Sequence, residues 1–246
     1  MLTTLAVLSA CCLGLGAEAT APDTAPAPKP RVLVVTGGHG FDEPEFRTLF
    51  AALTELDVTF HDLKDESEVF EDISDWPYDV LVLYNMSQKI SEKRKANFLS
   101  LLDRGVGLVV LHHAIAAFND WPEYWKIIGA RYFLKDTGVD GKTIPASTYR
   151  HDVDIPCKIE DPAHPVTAGL KDFVVRDETY KGFLVEPDNH LLVSEDHPDA
   201  QREAAWTRQY RNAKVCYIQL GHDKLSFGDE NYRTLVRQAI QWTKKP

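Results

Sequence analysis

The sequence predicts an α/β fold, a doubly wound and mostly parallel sheet with additional antiparallel strands in the second half. Three observations predict it. The run Gly105 to Leu111 (GVGLVVL) is apolar without alternation, the pattern of a central strand buried on both faces. The first half of the chain alternates strand and helix patterns, as right-handed crossovers between parallel strands require. The second half replaces helical periodicity with short alternating runs, which suit antiparallel strands covered on one face.

Each element has its own local reason. Arg31 to Thr36 (RVLVVT) is the first buried strand, followed by the glycine-rich turn Gly37-Gly38-His39-Gly40. Asp42 is placed to cap a helix, with Glu45 three positions on, and Phe46, Leu49, Phe50 and Leu53 make one apolar face. Asp57 to Leu63 alternates and reads as the second strand, and Tyr78 to Tyr84 reads as the third, ending at Asn85. Ser91 caps a helix that buries Phe98, Leu101 and Leu102 and is stopped by Gly105. The central strand then ends abruptly in His112 and His113. Phe118 to Ile128 reads as a short aromatic helix and residues 134–147 as a surface loop. Alternating runs follow at His151–Ile159, Phe173–Arg176, His190–Ser194, Ala204–Tyr210 and Lys214–Leu220. Tyr232, Leu235, Val236, Ala239 and Ile240 form the stripe of a final helix, with Lys244 and Lys245 at its negative end.

The chain has 246 residues, enough for a sizeable core, and a formal charge of −10 that argues against nucleic acid as a partner. Residues 1–19 read as an export signal, with an apolar segment from Leu5 to Gly16 and an Ala17-Glu18-Ala19 cleavage site. Leu8-Ser9-Ala10-Cys11 also resembles a lipoprotein box, so a lipid anchor at Cys11 is the alternative. Residues 20–30, rich in Pro and Ala, form an extended linker, leaving residues 31–246 as one domain in an exported, periplasmic or extracellular protein. No later segment is long and apolar enough to span a membrane. Cys157 and Cys216 are left to pair or to stay as buried thiols.

The chemistry gathers at strand ends. His39 follows the first strand, His112 and His113 the central one, and His222 the run Tyr217 to Gly221. If these strands are parallel, all lie on one edge of the sheet, where the ligand crevice opens. Histidine there supplies a proton donor or acceptor, or a metal ligand. Asp177-Glu178-Thr179-Tyr180 adds a carboxylate for acid–base work or metal binding, and Asp223 can orient His222 or cap the next helix. On an extended backbone only one of His112 and His113 faces the crevice. Trp121, Tyr124, Trp125 and Trp206 can line a sugar platform or belong to the core. The glycine-rich turn lacks the GxGxxG spacing and a Walker lysine, so no nucleotide cofactor is expected.

GGHGF after the first strand, GVGLVVLHHA, HPVTAGL, DETY and the Trp206…YIQLGHD block occur in that order, and together they resemble the trehalose-utilisation (ThuA-like) family. That family's fold is similar to class I glutamine amidotransferases, with a flavodoxin-like sheet. The amidotransferases carry a cysteine nucleophile after the central strand. Here His112 and His113 stand in its place, so amidotransferase activity is not expected. The resemblance implies carbohydrate metabolism, particularly of disaccharides and their 3-keto forms, and a small carbohydrate as partner. Its motif residues here are His39, His112, His113, Glu178, His222 and Asp223.

Two readings follow. In the first, an enzyme acts on a sugar or keto-sugar by hydrolysis, elimination or isomerisation. His112, His113, Glu178, His222 and Asp223 are its catalytic candidates, and His39, Asn85, Trp121 and Tyr180 contact the substrate. A divalent metal such as zinc is its candidate cofactor, with His113 and His222 as ligands. In the second, the same fold is a non-catalytic sugar-binding or scaffold protein.

Overall fold

A computed structural model describes residues 28–64, 67–139 and 141–245. The expected export signal, and the linker up to residue 27, lie outside the described residues.

The elements are β1 (Arg31–Gly37), α1 (Glu43–Ala51), β2 (Asp57–Asp62), β3 (Val80–Asn85), α2 (Glu92–Asp103) and β4 (Gly107–Leu111). They continue with α3 (Pro122–Ile128), β5 (Ala130–Arg131), β6 (Thr137–Val139), β7 (Lys142–Ile144) and β8 (Thr148–Ile159). The rest are β9 (Phe173–Lys181), β10 (Leu184–Val185), β11 (His190–Glu195), β12 (Glu203–Tyr210), β13 (Ala213–Ile218), α4 (Lys224–Gly228) and α5 (Glu230–Thr243). The large sheet runs β2-β1-β3-β4-β13-β12-β11-β8-β9. From β2 to β13 neighbours are parallel, and from β13 to β9 they are antiparallel. The doubly wound sheet with an antiparallel extension is therefore present as the sequence predicts.

β4 is the axis because nothing in it is polar. All five of its residues are buried, and each of its Leu and Val side chains contributes roughly 1.5–3 kcal/mol by leaving water. Its alternate residues feed two cores. Val109 and Leu111 face the core of α1 and α5, while Leu108 and Val110 face that of α2 and α3. Gly107 lets α5 close on the strand, since a Cβ there would stand 2.3 Å from the Thr243 carbonyl oxygen.

Several local expectations change. Asp42 occupies the N-cap position of α1 but makes no side-chain cap bond, because its carboxylate accepts the Lys224 backbone N–H at 3.1 Å. The aromatic helix begins only at Pro122, after turns in which Phe118 adopts φ 47°. The expected loop 134–147 contains the β6–β7 hairpin, in which β-branched Thr137, Val139, Thr143 and Ile144 flank Gly141 at φ 77°. Cys157 and Cys216 are both free and buried. No described helix is long and apolar enough to cross a membrane.

The feature that builds the site is the β8–β9 hairpin. β8 pairs with β11 only through its last residues, Cys157 to Ile159, while its beginning pairs with β9 alone. A bulge between Arg150 and Val153, where Asp152 has φ 55°, bends it. β9 thereby reaches the carboxyl ends of β4 and β13, where Gln219 Nε2 donates to the Glu178 carbonyl at 2.7 Å.

Candidate functional site

β1, β4 and β13 are parallel, so their ends fall on one edge of the sheet, as the strand-end histidines require. The chain does not simply extend past β4. It turns into a short 3-10 segment, His112–Ala116, with His112 at φ 48°. A left-handed non-glycine residue is costly and persists only where its surroundings hold it. Here Gln219 and Glu178 do so.

The centre of the site is the Glu178 carboxylate, from β9. Its Oε2 lies 2.9 Å from His112 Nε2 and 3.1 Å from His222 Nδ1, which are themselves 3.3 Å apart. Its Oε1 lies 3.3 Å from His151 Nδ1. Tyr180 places its hydroxyl 2.8 Å from His112 Nε2. Burial works against the charged form of Glu178, but the hydrogen bonds and charges of His112 and His222 hold it well below the usual carboxylate range. For His222 burial again opposes the charge, and the bond and charge of Glu178, with Asp177 and Asp223, raise its pKa.

This donor set fits a metal ion. His112 Nδ1 lies 2.6 Å from the Gln219 carbonyl, which only accepts, so Nδ1 carries a hydrogen and donates it. Nε2 then faces a carboxylate oxygen at 2.9 Å, an approach that needs a proton on Nε2 or a cation between the two. A backbone carbonyl that fixes the tautomer of a ligating imidazole is the usual support of a metal-bound histidine. A tetrahedral ion with bonds of roughly 2.0–2.1 Å separates its ligand atoms by roughly 3.3 Å. The spacings of 2.9 to 3.3 Å approach that value. His112, Glu178 and His222 are the one group of this kind among the described residues.

Asp177, buried beside Glu178, is the positioning group. Its carboxylate accepts backbone N–H groups from Gly221 at 2.7 Å, Glu178 at 2.9 Å and His222 at 3.0 Å. It thus fixes the loop carrying His222 to the strand carrying Glu178. Burial pushes its pKa up, against the pull of His112 and of these bonds. Gly221, at φ 114°, leaves room for the loop, since a Cβ would meet the Tyr232 hydroxyl at 2.2 Å.

The other expected residues divide. Asp223 does not orient His222. It caps α4 in a reciprocal box with Ser226, and its carboxylate accepts the Leu225 N–H at 2.8 Å. His113, expected beside His222 as a ligand, stands outside the metal-capable group. Its Nε2 lies 3.3 Å from the Tyr84 carbonyl, and its ring stacks on His39 at 4.6 Å. Burial, then the charges of His112 and His39, push its pKa well down. His113, His39, Glu178, Tyr180 and His222 line a cavity of about 420 Å³, with His112 buried beneath. Both histidines after β4 therefore belong to the site, one in the wall and one below it. Asn85 and Trp121 do not line this cavity. Asn85 is buried, with no partner for its side-chain amide among the described residues, and Trp121 packs on Phe98 and Tyr124. Trp206 is core, donating to the Ile128 carbonyl at 2.8 Å.

Sequence reasoning missed His151, Tyr149 and Tyr132. His151 and Tyr149 lie two apart on β8 and therefore share a face, but the alternating run read from the sequence starts at His151 and leaves Tyr149 out.

Fold and site together define an α/β protein whose doubly wound sheet carries, at the ends of its parallel strands, a buried carboxylate shared by two imidazoles. Among solved structures, a ThuA-like protein from Parabacteroides merdae is similar at 22% identity and TM-score 0.73, over 87% of this chain and 90% of that one. A ThuA-like protein from Bacteroides uniformis matches at 20% identity and TM-score 0.63, over 92% and 95% of the two chains. A GMP synthase subunit from Thermoplasma acidophilum shares the fold at 13% identity and TM-score 0.54, over 87% and 93%. Curated protein sequences give no match. The family model described as trehalose utilisation matches residues 31–243, and the chain belongs to that ThuA family.

Proposed function

We propose that this chain is an exported enzyme of carbohydrate metabolism that acts on a sugar or keto-sugar by hydrolysis, elimination or isomerisation. His112, Glu178 and His222 hold a divalent metal ion such as zinc. One observation carries the reading: a single Glu178 oxygen is shared by imidazoles from two strand ends, at a cavity large enough for a small sugar. When bound, the ion supplies Lewis acidity toward a carbonyl oxygen or a water.

The chain's own residues do the rest. Gln219 locks the His112 ring, Asp177 sets the register of Glu178 against His222, and the Tyr180 hydroxyl stands over His112 Nε2 as a hydrogen-bonding group. No lysine or arginine is among the described residues lining the cavity, which suits an uncharged sugar better than a sugar phosphate. Glutamine hydrolysis through a thioester is not part of the reading. Cys157 and Cys216 lie buried in strands with thiol pKa values pushed up by burial, so neither offers a thiolate.

The test is turnover. Residues 20–246 are incubated with trehalose, other disaccharides and their 3-keto forms, and products are separated by chromatography. The expected result is conversion of at least one keto-sugar, abolished by Glu178→Gln in a protein that still melts cooperatively. Saturable binding with no turnover across the panel would replace the enzyme with a binding protein.

A further inference from the structure

The cavity has two chemically different ends. Glu178, His222 and His151 make one end polar. The other is a wall of Tyr132, Phe133, Leu134 and Tyr149. Glu178 is 4% exposed, and Tyr132 and Phe133 are buried like it, whereas Leu134 is 42% and Tyr149 60% exposed, so the mouth is formed by Leu134 and Tyr149 with the exposed His151 beside them. Large apolar side chains left in water are few here. The exposed ones among the described residues are Leu134, Tyr149, Val174, Leu184 and Leu225, and the first two flank this one opening.

The wall is built rather than incidental. Its two strips are tied together where Ser147 N–H donates to the Phe133 carbonyl at 2.8 Å and Phe133 N–H donates to Ser147 Oγ at 2.9 Å. Tyr149 meets the His151 ring edge-on at 5.0 Å, and His151 in turn abuts Glu178. The Tyr149 and Leu134 side chains are thus within reach of a group bonded to a sugar at the polar end.

We infer that this mouth is an aglycone subsite, which takes a flat aromatic group carried by the sugar. The inference rests on the proposed sugar site and adds the class of glycoside. A second sugar ring fits less well, because each hydroxyl it buried would need a partner. Ser147 Oγ is already engaged, accepting from Phe133 and donating to the Gly182 carbonyl at 3.1 Å. That leaves the hydroxyls of Tyr132 and Tyr149, with the His151 imidazole beside Tyr149, as the side-chain hydrogen-bonding groups for a whole second ring. An aryl ring needs none and gains from leaving water.

The experiment compares phenyl glucosides, methyl glucosides of both anomers, and trehalose by isothermal titration calorimetry. The proteins are the wild type, Tyr149→Ser and Leu134→Asn, each checked by thermal melting and for metal content. Both side chains are exposed, so the variants should fold. The phenyl glucoside should bind on the order of tenfold more tightly than the methyl glucoside, and each substitution should cut that preference. Trehalose should bind no more tightly than the methyl glucoside. Equal phenyl and methyl affinity, a preference untouched by Tyr149→Ser, or trehalose matching the phenyl glucoside would overturn the subsite. If neither glucoside binds a protein that carries stoichiometric metal, the subsite falls and the metal reading stands. If the aryl preference survives in a protein without metal, the metal reading falls alone.

Discussion

Replacing Asp177 with Asn changes one oxygen of a buried side chain to NH₂ and tests how the site is held together. The carboxylate accepts from Glu178 and His222 on Oδ1, and from Gly221 on Oδ2. An asparagine amide that keeps the first two bonds points its NH₂ at the Gly221 N–H, so a bond to a charged acceptor is lost and two donors face each other. The lost bond is worth about 1.5–3 kcal/mol, and an unsatisfied buried donor costs about 1–3 kcal/mol. Removing a buried charge returns part of this, because burial disfavours the ionised form of Asp177. The net expectation is a loss of roughly 2–4 kcal/mol. For a domain of this size that lowers Tm by roughly 4–16 °C. Differential scanning calorimetry measures the shift, and metal analysis of the same sample should show weakened retention, since His222 loses its register against Glu178. A Tm within a degree of wild type with full metal retention would refute the positioning role.

Glu195 predicts a pH dependence that Glu195→Gln should remove. Burial pushes its pKa up to about 8, from the ordinary 4.5, with the Thr179 hydroxyl pulling the other way. The folded state then holds a proton that the unfolded state releases, so stability falls as pH rises from 4.5 towards about 8, at up to ~1.4 kcal/mol per pH unit. Urea melts across that window should flatten in the Gln variant, and an unchanged slope would rule Glu195 out as its source. Cys157 and Cys216 should both resist a thiol reagent in the native protein and react only on unfolding. Rapid native labelling would contradict their burial.

How much of this could be read from the chain depended on how local the signal was. β1, β3 and β4 announce themselves as unbroken apolar runs, and α2 and α5 by helical spacing, α2 with Ser91 as its cap. The strand-end histidines followed from topology, because parallel strands bring their carboxyl ends together. The site itself spans separations that no local pattern encodes. His112 meets Glu178 across 66 residues and His222 across 110. These contacts depend on the bulge near Asp152 that bends the β8–β9 hairpin, a backbone feature that leaves no composition signal. The exchange of His113 for His112 as candidate ligand has the same origin. An extended backbone past Leu111 would alternate the two rings, but the left-handed turn at His112 places one beneath the cavity and one in its wall. Asp223 was locally legible after all, since Asp-Lys-Leu-Ser spells a helix cap that competes with any role toward His222.

The most direct test of the metal-centre account is metal content by mass spectrometry on residues 20–246, purified without chelator or histidine tag. Wild type, His113→Ala and His222→Ala are compared. The account predicts near-stoichiometric divalent metal in the wild type, retained in His113→Ala and lost in His222→Ala. Metal absent from the wild type, or lost equally from the His113 variant, would contradict a centre built on His112, Glu178 and His222.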